Sequence, residues 1–278
     1  MIVTITFGSV TIGAYSSGYL IDKLKGFDFP EVNVDVADRG QYHGARLNSY
    51  SYGERLFTIN GSIYGTSASN LETKRQALQK ALDLHGGVQT MTLTTRGSLA
   101  LQAEVIAIAK FGVEYKKGSM SFCDFMIQLV APYPFLLSQV LNSEEVEPFS
   151  GGGFAIPFAI PFSMGVGGSG TTTVTNDGNA RAFPIITING PIENPSIQNS
   201  TTGETCSLNY TLSTSTDYIE IDTYNRTVML NGVTNLRQYF SGDWITLASG
   251  NNSIKLTGSS TGADTGAIFS YRDHYLGL

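Results

Sequence analysis

Apolar and polar side chains alternate at period two along most of this chain, and that alternation confines it to extended strands. In MIVTITFGSVTIG, Ile2, Thr4 and Thr6 share one face while Val3, Ile5 and Phe7 share the other. Val32, Val34 and Val36 repeat the pattern around Asn33 and Asp35, and RLFTINGSIY sets Phe57, Ile59 and Ile63 on one side. Further strands are expected at 90–95, 99–109 and 119–130. In the last of these, Met120, Phe122 and Met126 alternate with Cys123, Phe125, Ile127 and Leu129. Large apolar groups on both faces suggest a central strand packed on two sides, and Pro132 and Pro134 end it.

Helical spacing interrupts this pattern once. Ser69-x-x-Glu72 has the form of a capping box, and Leu71, Leu78, Ala81 and Leu82 then fall on one face. Gly86-Gly87 supplies a left-handed stop. Burying each leucine contributes about 1.5–3 kcal/mol, so the helix is expected to lie on a sheet. From about 171 onward no helix is expected. TTTVTN, FPIITING, CSLNYTLS, DYIEIDTYNRTVMLNG, DWITLASGNNSIKLTG and AIFSYRDHYL are short strands divided by Asn/Gly turns, as in an antiparallel sandwich.

Between the halves lies GGGFAIPFAIPFSMGVGGSG, residues 151–170. Its prolines forbid a regular helix, and its flanking glycines have linker composition. The expected fold is therefore all-β, mainly antiparallel, with one α-helix. Its parts are a domain at 1–140, a Gly/Pro/Phe strap at 141–170 and a sandwich at 171–278. Phe154, Phe158 and Phe162 are expected to dock on one domain or on an adjacent subunit, since such a patch left open invites association. The stretch ADRGQYHGARLNSYSYGER is expected to be a long polar loop. Its tyrosines Tyr42, Tyr50 and Tyr52 are candidates for self-association, because tyrosine offers large contact area at small entropic cost.

Composition narrows the function. The chain has 278 residues, 41% hydrophobic, which excludes disorder, and its net charge is −6 with only 14% charged residues. Lys116-Lys117 is the longest basic pair, so a nucleic-acid binder built on clustered cations is excluded. So low a charge implies a surface that is partly neutral or covered by other subunits. The N-terminal stretch lacks a basic n-region, which argues against a signal peptide, and no run reaches the ~18 apolar residues of a spanning helix. Cys123 and Cys206 are expected to be buried small hydrophobes; a disulfide would need the two halves to pack closely.

Catalytic signatures are absent from the sequence: GxSxG, HExxH, paired CxxC and GxxxxGK[ST] do not occur. His43, His85 and His274 lie in unrelated segments without metal-ligand spacing. Glu144, Glu145 and Glu147 suit a solvated loop, and Asp222 suits a turn cap. Trp244, the only tryptophan, is most simply a core residue; it is also the one candidate for stacking a sugar ring. No catalytic residue, cofactor or metal ligand is assigned.

Two constellations resemble a known family. Residues 26–135 resemble the N-terminal domain of siphophage distal tail (Dit) proteins. The order is strand, loop, RLFTINGSIYGTS, helix LETKRQALQKAL, and strands closing in SFCDFMIQLVAPYPF, with Ala131 where the family carries an acid. Residues 174–278 resemble the family's galectin-like C-terminal domain. The likeness lies in VTNDGNARAFPIITING, Ile219–Asp222, Val228–Gly232, the Leu247–Asn251 turn and Tyr271–Leu276. The resemblance implies a structural virion protein of the phage tail tip or baseplate, assembled in the host bacterial cytoplasm. It implies a hexameric ring bound to the tail tube protein, to a tail-tip hub protein and to a receptor-binding protein. DNA would pass through the lumen without specific binding, and no membrane insertion is implied. The other reading is a tail-tip carbohydrate- or receptor-binding module.

Overall fold

The computed structural model describes residues 2–96, 99–148, 171–262 and 264–278. The chain divides into two compact units, Met1–Gln139 with Tyr275–Leu278, and Val140–His274. The last four residues thus return to the first unit, although the sequence pattern groups them with the second.

The first unit contains β1 (Ile2–Phe7), β2 (Val10–Ile12), β3 (Tyr19–Lys25), β4 (Val32–Asp38), β5 (Ala45–Tyr52) and β6 (Arg55–Gly65). There follow α1 (Ala68–Ala81), β7 (Gln89–Thr95), β8 (Ala100–Phe111), β9 (Tyr115–Lys117), β10 (Met120–Ala131) and β11 (Leu136–Ser138). The main sheet runs β2-β1-β7-β8-β10-β6-β3 with antiparallel pairing throughout. Period-two alternation places Ile5, Phe7, Phe57, Ile59, Leu93, Leu101, Val105 and Ile127 in one core. Helix α1 packs on β6 and β10 through buried Leu71 and Leu78. The hydroxyl of Tyr19 donates to the Lys74 carbonyl at 2.8 Å and ties β3 to the helix.

Three local expectations are corrected here. The helix is capped by Ser67, whose Oγ accepts from Asn70 N at 3.1 Å. Asn70 Oδ1 in turn accepts from Thr66 N at 3.3 Å, while Glu72 turns outward to Arg75 and Gln76. Of the two serines, Ser67 has the extended backbone of an N-cap (φ −152, ψ 165), which turns its Oγ onto the Asn70 amide. Ser67→Ala should therefore cost about 1 kcal/mol in urea unfolding, while Ser69→Ala should stay within about 0.5 kcal/mol. The helix also ends at Ala81, and Gly87 (φ +72) closes a following 3-10 turn at Leu84–Gly86 instead. Finally, β10 is central but packed on one side. Cys123, Phe125, Ile127 and Leu129 are buried, while Met120, Asp124 and Gln128 are exposed.

The second unit contains β12 (Asn142–Val146), β13 (Thr172–Asn176), β14 (Ile185–Asn189), β15 (Ile192–Glu193), β16 (Ser196–Asn199), β17 (Glu204–Leu208) and β18 (Thr211–Leu212). It continues with β19 (Tyr218–Asp222), β20 (Thr227–Leu230), β21 (Thr234–Asn235), β22 (Phe240–Gly242), β23 (Gly250–Thr257), β24 (Ser260–Thr261) and β25 (Gly266–Tyr271). A six-stranded sheet, β12-β25-β14-β19-β20-β21, and a five-stranded sheet, β13-β23-β16-β17-β22, share one core with Ile186, Ile188, Ile219 and Phe269 facing Val174, Ile197, Ile254 and Leu256. The expected antiparallel sandwich is what forms.

Strand β12 corrects the reading of residues 141–170 as strap and of the glutamates as a loop. It pairs with β25, burying Val146 and leaving Glu144 and Glu145 exposed on the strand. Phe154, Phe158 and Phe162 lie outside the described residues.

Candidate functional site

The stretch expected to be a polar loop is a β-hairpin. Among the described residues strand β4 pairs only with β5, in the register Val32↔Tyr52, Val34↔Tyr50 and Val36↔Leu47. Cross-strand partners share a face. The three valines, Leu47, Tyr50 and Tyr52 therefore line one side, and Asn33, Asp35, Ser49 and Ser51 line the other. An extra residue at Asn48 bulges β5, and its side-chain amide donates to Asp35 Oδ2 at 3.3 Å. Only the root is packed: Tyr52 meets Phe29 and Phe135 edge-on at 5.8 and 5.5 Å. Farther out Val34 is 57% exposed and Tyr50 75%. Tyr42 lies in the turn, 80% exposed and outside the paired register of the two strands. Of the three sequence-derived tyrosines, Tyr50 and Tyr52 are brought together with the valines, and Tyr42 is not.

Trp244 sits in the second unit, half-buried at the margin of the core. Phe240 stacks on its indole with centroids 4.3 Å apart, and the Arg237 guanidinium lies 5.0 Å from that ring. The indole borders a cleft of about 440 Å³ together with Phe183, Tyr224, Arg226 and Asp243. Glu204 stiffens the floor: its carboxylate accepts from Thr246 N at 2.6 Å, Thr202 Oγ1 at 3.0 Å and Arg181 Nη1 at 3.3 Å. Behind the floor is a network the sequence pattern does not reveal. Asn199 Nδ2 donates to the Thr246 carbonyl at 2.8 Å and to Asn252 Oδ1 at 3.1 Å, and Asn252 in turn bonds both N and O of Ala248. Asn176, Asn199 and Asn252 are all fully buried.

The groups that most often do chemistry are dispersed. His43 is exposed in the hairpin turn. His85 pairs with Asp83 at 3.1 Å, and this hydrogen bond holds Asp83 below its ordinary pKa. His274 is buried, its Nδ1 2.7 Å from the Arg272 carbonyl. Asp222 caps its turn as expected, accepting from Tyr224 N at 3.0 Å and Asn225 N at 2.8 Å. Among the described residues no group of three His, Cys, Asp or Glu could hold a metal ion, and no helix is long and apolar enough to cross a membrane. Cys123 and Cys206 are free and buried in separate cores, and burial pushes the Cys206 thiol up to about 12.

Residues 177–275 match the family model for the siphovirus-type tail component, C-terminal domain. No curated protein matches the chain. Of solved structures, the SPP1 Dit protein, described as a paradigm of the hub adsorption apparatus in phages infecting Gram-positive bacteria, aligns over 98% of this chain and 99% of its own, with TM-score 0.62 and 14% identity. A chain of the phage p2 baseplate in its activated conformation with Sr aligns over 97% of this chain and 96% of its own at 11% identity, with TM-score 0.40. The full-length alignment to SPP1 Dit carries the fold, and the family model carries a likeness confined to residues 177–275. Residues 177–275 thus match the siphovirus-type tail component C-terminal domain, on a chain whose fold is similar to that of SPP1 Dit, and both likenesses support the resemblance to the Dit family drawn from the sequence.

Proposed function

We propose that this protein is an architectural hub of a siphophage tail. Copies of the first unit close into a ring, six on the family resemblance, which joins the tail tube to the tail tip and leaves a channel for DNA. The second unit faces adjoining tip proteins, among them a receptor-binding protein. Its work is done by surfaces rather than by a reacting side chain, and its place is the virion.

The β4–β5 hairpin carries this reading. A lone two-stranded ribbon is marginal in water, and an apolar face of three valines, a leucine and two tyrosines needs a cover. A neighbouring copy supplies it in a heterologous contact, the kind of interface that closes rings. The channel is compatible with the charge balance. Net charge is −6, and Thr11, Thr6, Thr92 and Gln102, which lie side by side across β2, β1, β7 and β8, carry no cation.

Negative-stain images and light scattering of the purified chain are expected to give hollow rings. Val34→Lys combined with Tyr50→Lys should leave folded monomers, because both positions are exposed in the isolated chain. Rings that persist in this variant, or a wild-type monomer at high concentration, would refute the hairpin as the ring contact.

A further inference from the structure

We propose that the cleft beside Trp244 binds an uncharged pyranose, an activity separate from ring formation and independent of it. The argument begins with Arg226. It occupies a left-handed backbone position at φ +58, which glycine or asparagine adopts more readily. Its exposed guanidinium borders the cleft and makes no hydrogen bond or ion pair with any described residue. Asp243, also lining the cleft, uses one oxygen, Oδ2, to accept from Thr205 N at 3.3 Å, while Oδ1 makes no hydrogen bond with any described residue. A donor and an acceptor therefore line the same cleft.

Aromatic surface completes the site. Tyr224 is 47% exposed and is braced edge-on by Phe183 at 5.5 Å, so its ring is held while still accessible. Trp244 is held by the stacked ring of Phe240. Rigid aromatic faces beside a few oriented polar groups suit a ligand with apolar C–H faces and hydroxyl edges. The cleft's volume, about 440 Å³, is within the ~300–1,000 Å³ range of small-ligand sites.

Charge selects the class of sugar. Arg181 is spent on Glu204, and Arg226 is balanced by Asp243, so the cleft presents no net charge. A phosphate-bearing polymer would meet the Asp243 carboxylate, and an amine would meet Arg226. A neutral hexopyranose satisfies both groups through its hydroxyls. Glu204 is fully engaged by Thr246, Thr202 and Arg181 and shapes the floor without contacting the ligand.

The test uses the only tryptophan of the chain as its reporter. Glucose, galactose and N-acetylglucosamine, and short oligomers of each, are titrated into the full-length protein while tryptophan emission is read. At least one is expected to give a saturable change, weakened about tenfold or more by Tyr224→Ala and by Arg226→Ala. Both substituted side chains are exposed, so the fold should survive, and ring formation should be unchanged. No saturable change with any of these sugars in the millimolar range would overturn the proposal. A change that neither substitution weakens would overturn it as well. Rings without sugar binding would defeat this inference alone, and sugar binding without rings would defeat the hub reading alone.

Discussion

Replacing Arg55 with methionine is expected to destabilise the first unit by about 3–5 kcal/mol, a large effect for one residue. Arg55 is only 2% exposed. Its Nε donates to the Gly26 carbonyl at 2.9 Å, and its Nη1 to the carbonyls of Leu276 at 2.8 Å and Pro134 at 3.2 Å. One guanidinium thus ties together three segments far apart in sequence, including the returning C-terminal residues, and it lies 5.1 Å over the Phe57 ring. Burial pulls its pKa down to about 10, opposed by the charge of Asp28, and the group stays protonated at neutral pH. Methionine fills similar volume and removes the desolvation cost of the charge, but it strands three carbonyls. That second loss dominates, because hydrogen bonds from a charged donor contribute about 1.5–3 kcal/mol each.

Lysine should restore little, since an ammonium cannot span three acceptors with the geometry of a fork. Urea unfolding of the full chain measures the loss. Hydrogen exchange at Leu278 N, which donates to the Phe27 carbonyl at 3.2 Å, should quicken in the same variant. A loss below about 1 kcal/mol would mean that water satisfies those carbonyls equally well.

Acidification from pH 7 to pH 4 should remove up to about 3 kcal/mol from the second unit through His274 alone. Burial lowers this histidine from 6.5 to about 4, against the raising influence of the Arg272 carbonyl and the Asp273 charge. In the unfolded chain the imidazole titrates near its ordinary value, so between the two pKa values only the unfolded state takes up the proton. The stabilisation is therefore complete above about pH 6.5 and is lost as pH falls toward the native pKa. Carboxylates add their own acid dependence, so the informative quantity is a difference. The gap in urea midpoint between wild type and His274→Gln should narrow steadily from pH 7 to pH 4. Parallel curves for the two proteins would remove His274 as the cause.

How much of this molecule is legible in its sequence depends on how local the controlling interaction is. The apolar rows of β1, β6, β8 and β10, and the leucine stripe of α1, follow from periodicity, because a side chain's face is fixed by its own backbone. Strand β5 escapes because the bulge at Asn48 separates Leu47 from Tyr50 by three residues and breaks the alternation. Strand β12 escapes because only Val146 of its five residues is buried, and it is recruited by β25 rather than formed by its own pattern. The capping serine was displaced by two positions because both candidates carry the same local chemistry.

Sequence by itself determined the all-β class, the single helix and the family likeness. Each of these rests on the order of short-range patterns. Tertiary structure alone decided that the tyrosine-rich stretch is an amphipathic hairpin, that Arg55 is a buried clamp, and that Asn199 and Asn252 brace the floor beside Trp244. It also brought Arg226, Asp243 and Tyr224 to one cleft. The reason is physical: a polar side chain is buried or exposed according to which distant carbonyls and amides arrive beside it, and that meeting is written in the packing of the chain rather than in any short stretch of it.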